Sequence, residues 1–148
     1  MEEKLTNSVT TRPWRLEKRV LPQHTDHAGV MWHGAYVAWL EEARVEALAL
    51  AGLDYAVMAR AGLEMPVVSL QVHYRRALRH GDVVMLESRC LPRNGARWPW
   101  RCQLRIGQQL MAEAEVDLVL LAEGRLLRRP PAEIVDVLEA LQSGPPTS

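Results

Sequence analysis

The segment Thr25-Asp26-His27-Ala28-Gly29-Val30-Met31-Trp32-His33-Gly34 sets a carboxylate and imidazoles immediately ahead of a stretch with helical character. The first amides of a helix have no acceptor within it and carry the positive end of its dipole, so they can stabilise an oxygen that becomes negative during acyl transfer. A carboxylate beside them can attack a carbonyl or activate water. The stretch is therefore a coherent acyl-transfer site. Local sequence leaves other readings open: Asp26 as a helix cap, His33 as a hydrogen-bonded structural histidine, and His24 and His27 as exposed loop residues. A metal site built from Asp26, His27 and His33 lacks a His-Glu-x-x-His helix or any comparable ligand set.

These residues need a scaffold, and the flanking sequence supplies one. From Ala35 to Ala51 the chain is rich in Ala, Leu and Glu and free of proline, with Tyr36, Leu40, Ala43, Ala47 and Leu50 at helical spacing and Gly52 as a stop. Trp14, Leu16 and Val20 suggest a preceding strand that ends near Pro22. A short helix over Tyr55 to Arg60 is closed by Gly62 and Pro66. Val68, Leu70, Val72 and Tyr74 then alternate with Ser69, Gln71, His73 and Arg75, the pattern of a half-buried strand. His80-Gly81-Asp82 reads as a turn, Val83 to Cys90 as a strand, and Pro92-Arg93-Asn94-Gly95 as a tight hairpin. Trp98, Trp100, Cys102, Leu104 and Ile106 mark the next strand, in which Pro99 requires a bulge or an edge position. Gly107-Gln108 leads into a last strand carrying Leu110, Ala112, Ala114, Val116, Leu118 and Leu120. Arg128 to Pro131 links to a closing helix over Ala132 to Leu141. One strand, a long helix and four hairpin-joined strands imply an antiparallel sheet covered by that helix. Residues 1–12 read as a flexible tail, 13–142 as one domain and 143–148 as a frayed C-terminus.

Composition narrows the classes of function. The 148 residues hold 18 Lys+Arg against 18 Asp+Glu, a formal net charge of zero that argues against a long basic surface for nucleic acid. No apolar run approaches the roughly 18 to 20 residues of a membrane-spanning helix, and the opening MEEKLTNSVT does not look like a secretory signal. A cytoplasmic protein with no nucleic-acid partner and no membrane insertion is expected. Cys90 and Cys102 are too few for a disulfide scaffold and read as buried thiols. Neither a glycine-rich phosphate loop nor a dinucleotide motif is present.

Two segments resemble the thioesterases of the hotdog-fold superfamily, in particular the branch of 4-hydroxybenzoyl-CoA thioesterase and YbgC-like acyl-CoA thioesterases. The first is Thr25, Asp26, Gly29, Val30 and His33, then Tyr36, then Glu41-Glu42-Ala43-Arg44. The second is Val68-Ser69-Leu70-Gln71-Val72-His73-Tyr74-Arg75-Arg76-Ala77 followed by Gly81-Asp82. They occur in the family's order and separation, and the resemblance covers roughly residues 14 to 122. It implies an α+β hotdog fold: a curved, five-stranded antiparallel sheet wrapped around one long central helix, with a short C-terminal helix. It also implies a homodimer with active sites at the subunit interface, and a tetramer formed as a dimer of dimers.

By the same resemblance, the reaction is hydrolysis of a short-chain or aromatic acyl-CoA to free acid and CoA, with neither a metal nor an organic cofactor. Asp26 is then the catalytic carboxylate, as nucleophile or general base. The amide of His33 polarises the carbonyl and its imidazole orients water or substrate. Gly29, Val30, Trp32 and Tyr36 line the substrate site, and Arg75 and Arg76 meet the CoA phosphates. Arg79 and His80 belong to the same candidate group for that contact, with Arg93, Arg97, Arg101 and Arg105 as further candidates, although on a regular strand Arg75 and Arg76 point to opposite faces. Two positions depart from the family: Trp32 stands where Tyr or Phe is usual, and Gly34 where Asn is frequent. Another hotdog branch carries a catalytic Glu on the central helix, which brings in Glu41, Glu42 and Glu46. The alternative functions are hydrolysis of an acyl-carrier-protein thioester and a non-catalytic acyl-CoA binding module.

Overall fold

A computed structural model describes residues 12–146. The tail expected over 1–12 lies, Arg12 apart, outside the described residues, as do residues 147 and 148 of the C-terminal stretch. Strand β1 (Trp14–Arg19) leads through a 3-10 turn (Pro22–His24) and the Asp26 loop into helix α1 (His33–Ala51). Helix α2 (Tyr55–Arg60) and the short strand β2 (Leu63–Glu64) follow. Then come β3 (Val67–Tyr74), β4 (Val83–Cys90), β5 (Arg97–Ile106), β6 (Gln109–Ala122) and the short β7 (Arg125–Leu127). A 3-10 turn (Ala132–Ile134) and helix α3 (Val135–Ser143) close the chain.

The five main strands lie in the order β1-β4-β5-β6-β3, every pair antiparallel, and this curved sheet wraps around α1 in the hotdog arrangement. Strand β6 is long enough to pair also with β2 and β7 near its end. Helix α1 turns Ala35, Tyr36, Trp39, Leu40, Ala43, Ala47 and Leu48 toward the sheet, and the three alanines allow close approach. Gly52 ends it in the left-handed conformation (φ 102°) that glycine adopts without steric cost. The core divides along the helix. Tyr36, Trp39 and Leu40 pack with Val84, Leu86, Leu104 and Ala112 beneath the Asp26 loop, while Ala47 and Leu48 pack with Trp14, Trp98, Trp100, Leu138 and Leu141 at the other end.

Three expectations need correction. Leu50 is 72% exposed, and Leu48 takes its place in the core because α3 covers the Leu48 side of the helix. Strand β3 is not half-buried: only Val72 is partly covered, because β3 lies at the edge of the sheet, paired on one side alone among the described residues. Pro99 sits in an internal strand. Its carbonyl accepts from the Leu91 amide, so its missing donor faces the point where β4 has ended, and the Leu91 carbonyl accepts instead from Gln142 Nε2 at 3.4 Å.

Candidate active site

The loop before α1 is a closed turn. The Asp26 amide donates to the Val30 carbonyl at 2.9 Å, and the Gly29 amide to the Asp26 carbonyl at 3.0 Å. Gly29 has φ 80°, which lets the chain reverse within these few residues. The turn is fastened to the segment after β3, where the Met31 amide donates to Leu78 O and the His80 amide to Gly29 O. Two distant parts of the sequence are thus held together at the N-terminus of the central helix.

Asp26 is exposed, and one of its carboxylate oxygens is committed: Oδ1 accepts from the Ala28 amide at 2.9 Å and the Val30 amide at 3.1 Å. Oδ2 has no partner among the described residues. The carboxyl is held below its ordinary value, chiefly by the Val30 N–H, with partial desolvation opposing and the Ala28 N–H and the nearby His27 assisting. The group is therefore an ionised carboxylate with one oxygen anchored and the other free. The helix-cap reading fails, since the N-cap position belongs to Trp32, whose side chain makes no capping bond.

The amides at the helix start divide in a similar way. Met31 N–H is taken by Leu78 O, Trp32 N–H by His24 O and Ala35 N–H by Trp32 O. Those of His33 and Gly34 have no acceptor among the described residues, so they are available to a ligand. The His33 ring is exposed and meets the Trp32 indole edge-on at 5.3 Å, so it is not a hydrogen-bonded structural residue. His24, by contrast, is structural: its Nδ1 accepts from the Leu21 amide at 3.0 Å and its ring packs edge-on against Trp39. His27 is an exposed loop residue, as expected.

Asp26, Val30, Trp32, His33, Tyr36, Arg75 and Arg76 line one open cavity of about 430 Å³, together with Met31, Tyr74 and Ala77. Gly29 shapes the turn and is not part of the wall. Tyr36 is buried, its hydroxyl pushed up by desolvation, and it packs edge-on against Tyr74 at 4.9 Å. Tyr74 escaped the sequence reading because alternation assigned it to a buried face, and its place immediately before Arg75-Arg76 was the available signal. Both arginines reach the cavity because the strand pattern has ended. The amides of Arg75 and Arg76 donate to the single carbonyl of Met111, beside a bulge in β6 opposite Leu104 and Arg105.

Their charges differ in availability. Arg75 is paired with Glu113, with Nε at 3.2 Å from Oε2, whereas Arg76 has no acidic partner among the described residues and lies against the neutral Gln109, whose side-chain oxygen, with the amide turned to face the guanidinium, accepts from Nε at 2.6 Å. Arg97, Arg101 and Arg105 are paired with Asp117, Glu115 and Glu87, and Arg93 is bonded to the Gly95 and Arg128 carbonyls. None of Glu41, Glu42 and Glu46 lines this cavity, and Glu42 is paired with Lys18 at 2.9 Å. Among the described residues no cluster of His, Cys, Asp and Glu could hold a metal ion, and no helix is long and apolar enough to cross a membrane.

A sheet wrapped around one helix, with a carboxylate loop docked at the helix N-terminus, defines a hotdog-fold protein. Comparison with known proteins supplies the family: residues 20–141 match the model of the thioesterase-like superfamily, and the chain belongs to it as a thioester hydrolase. It is 36% identical over 140 residues to the Synechocystis protein named "Putative esterase sll0410", covering 91% of this chain and 84% of the relative. A 64-residue match at 28% identity, covering 43% of this chain and 46% of the relative, joins it to the Bacillus subtilis "Putative acyl-CoA thioesterase YneP". Among solved structures, the hypothetical protein TT1821 from Thermus thermophilus superposes with a TM-score of 0.78 at 30% identity, covering 86% of this chain and 98% of that one.

Proposed function

We propose that the protein hydrolyses short-chain or aromatic acyl-CoA thioesters to the free acid and CoA. The observation that carries this reading is that one cavity is lined at once by the Asp26 carboxylate, by His33 at the uncapped helix start, by the aromatic walls Trp32 and Tyr36, and by Arg76, which has no acidic partner among the described residues. The thioester carbonyl accepts from the His33 amide, which stabilises the negative oxygen as the carbonyl carbon becomes tetrahedral. Asp26 Oδ2 either attacks that carbon or takes a proton from the attacking water. In the first route the C–S bond breaks to leave an acyl anhydride on Asp26, which a water molecule then hydrolyses to the free acid and the restored carboxylate. In the second the water oxygen bonds to the carbon and the C–S bond breaks directly. In both, the CoA sulfur leaves with a proton supplied by that water. Arg76 offers a planar guanidinium to the phosphates of the CoA handle. The acyl-CoA wording in the name of the Bacillus relative supports the same substrate class.

The reading includes a second copy of the chain. One edge of β3 pairs with β6, and the other meets no strand among the described residues. Val67, Val68, Leu70 and Tyr74 leave an exposed apolar strip along β3, the kind of edge that a second copy covers by extending the sheet. We assign a dimer on this edge, with the tetramer as a dimer of dimers, in a cytoplasmic protein. Light scattering should give twice or four times the chain mass. The activity is tested by following free CoA from short-chain, long-chain and aromatic acyl-CoAs. Release from short-chain or aromatic members supports the proposal; a folded dimer inactive on every CoA ester overturns it.

A further inference from the structure

We propose that Trp32 and Gly34 form a single specificity device, in which the bare α-carbon of Gly34 seats the Trp32 indole as a flat wall of the acyl site. Gly34 lies in the first turn of α1 and is not among the residues with positive φ, so its backbone makes no demand for glycine, which weakens a helix. The demand comes from the indole. A Cβ at position 34 would collide with Trp32 Cη2 and Cζ3 and lie 2.7 Å from Cζ2. The two departures from the family pattern, the large residue before His33 and the missing side chain after it, are therefore one feature.

The indole is not held by a core. It is 46% exposed, lines the cavity with Asp26, His33 and Tyr36, and touches the His33 ring edge-on at 5.3 Å and 73°. Its position depends on the ledge beneath it, and a methyl group at residue 34 must swing the ring away. The wall stands beside the His33 amide, so it borders the first atoms of the acyl group; this step rests on the proposed thioester reaction. A flat wall admits planar or unbranched acyl groups and rejects acyl groups that are thick next to the carbonyl.

Benzoyl-CoA and cyclohexanecarbonyl-CoA test this directly, because they share a six-carbon ring and differ in its thickness. The quantity of interest is the ratio of their kcat/KM values in wild type, Trp32→Ala, Gly34→Ala and the double variant. Comparing one ratio across variants cancels the esters' intrinsic reactivities. Trp32→Ala should reduce the preference for benzoyl by about tenfold or more, the scale of a steric pocket contact. Gly34→Ala should reduce it by a similar factor, and adding it to Trp32→Ala should change nothing further, since no ring is left to displace. The Trp32 indole N–H resonance, identified by its absence in Trp32→Ala, should move in Gly34→Ala. An unmoved resonance, an unchanged ratio in either single variant, or multiplicative effects in the double variant would each overturn the proposal. Affinities for the matching non-hydrolysable benzyl and cyclohexylmethyl thioethers separate this idea from the reaction itself. Coupled discrimination in binding without turnover of any ester removes the thioesterase reading and keeps the device; turnover with uncoupled discrimination does the reverse.

Discussion

Asp26 and Val30 hold each other: the Val30 amide donates to Asp26 Oδ1 at 3.1 Å while the Asp26 amide donates to the Val30 carbonyl at 2.9 Å. This reciprocal pair fixes the carboxylate through the backbone instead of through a second side chain. It turns one oxygen into a structural anchor and leaves the other free. The same contact lowers the carboxyl's proton affinity, so position and charge state come from one interaction.

The pH dependence follows from that sign. Asp26 titrates below its ordinary value near 3.8, so the ionised form that attacks or accepts a proton persists to lower pH than a free Asp would allow. The acid limb of kcat/KM should fall below that value, and activity should be flat from there through neutrality as far as this group is concerned. Where the protein survives the acid, any stability drawn from the anchored carboxylate is present above the ordinary value and is lost as pH falls through the depressed one. A carboxyl carbon resonance for Asp26 with a midpoint above 3.8 would contradict this assignment.

Asp26→Asn separates anchor from chemistry. The amide oxygen can still accept from Ala28 and Val30, so the turn and the melting temperature should be retained. The charge and the reactive carboxylate oxygen are lost, and turnover should drop by about 10²- to 10⁴-fold, the range associated with a positioned acid or base. A variant that keeps near-normal turnover would remove Asp26 from the mechanism.

Much of this was legible because the signals are local. Helix α1 and its Gly52 stop, α2, the β4 strand and the Asn-Gly hairpin are each written in contiguous residues. The cavity was legible mainly through the family resemblance, which joins two segments about forty residues apart. What could not be read depends on neighbours. Leu48 and Leu50 flank the same helical stripe, and only the placement of α3 selects Leu48. The alternation of β3 is genuine, yet an edge strand in one copy leaves its apolar face exposed. The joint entry of Arg75 and Arg76 depends on a strand ending that periodicity does not announce, and the Trp32–Gly34 contact is invisible until the ring direction is known.

The two arginines of the cavity should behave differently. Arg75 already shares its charge with Glu113, while Arg76 faces a neutral amide. Arg76→Gln should raise KM for CoA esters by about tenfold, the scale of one charge-assisted contact, with kcat little changed. Replacing Arg75 and Glu113 together by Gln should raise it by much less, because that removes a pair that is neutral overall and leaves no unpaired carboxylate beside the phosphates. The Arg76 effect should shrink as ionic strength rises, since salt screens exposed charges. Equal effects from the two variants would show that the Glu113 pair opens when substrate binds.

The two cysteines give a prediction of the opposite sign to that of Asp26. Burial pushes the Cys90 thiol up to about 12, and burial pushes Cys102 up to about 11, with the Ser88 hydroxyl partly opposing the shift. Both sit on the inner face of the sheet, Cys90 against the α3 end of the core and Cys102 against the Tyr36 end. The thiolate is the reactive form, so neither should react with a disulfide reagent at neutral pH while the chain is folded, and both should react once it is unfolded. For an acid whose folded value is raised, the associated stability is complete below the unfolded thiol value and declines as pH climbs toward the folded one. Denaturant midpoints should therefore fall between roughly pH 9 and 11, and the fall should be smaller in a Cys90→Ala, Cys102→Ala variant. Fast labelling of either thiol in the folded protein would mean that the sheet opens locally around that cysteine, since both are buried in the closed structure.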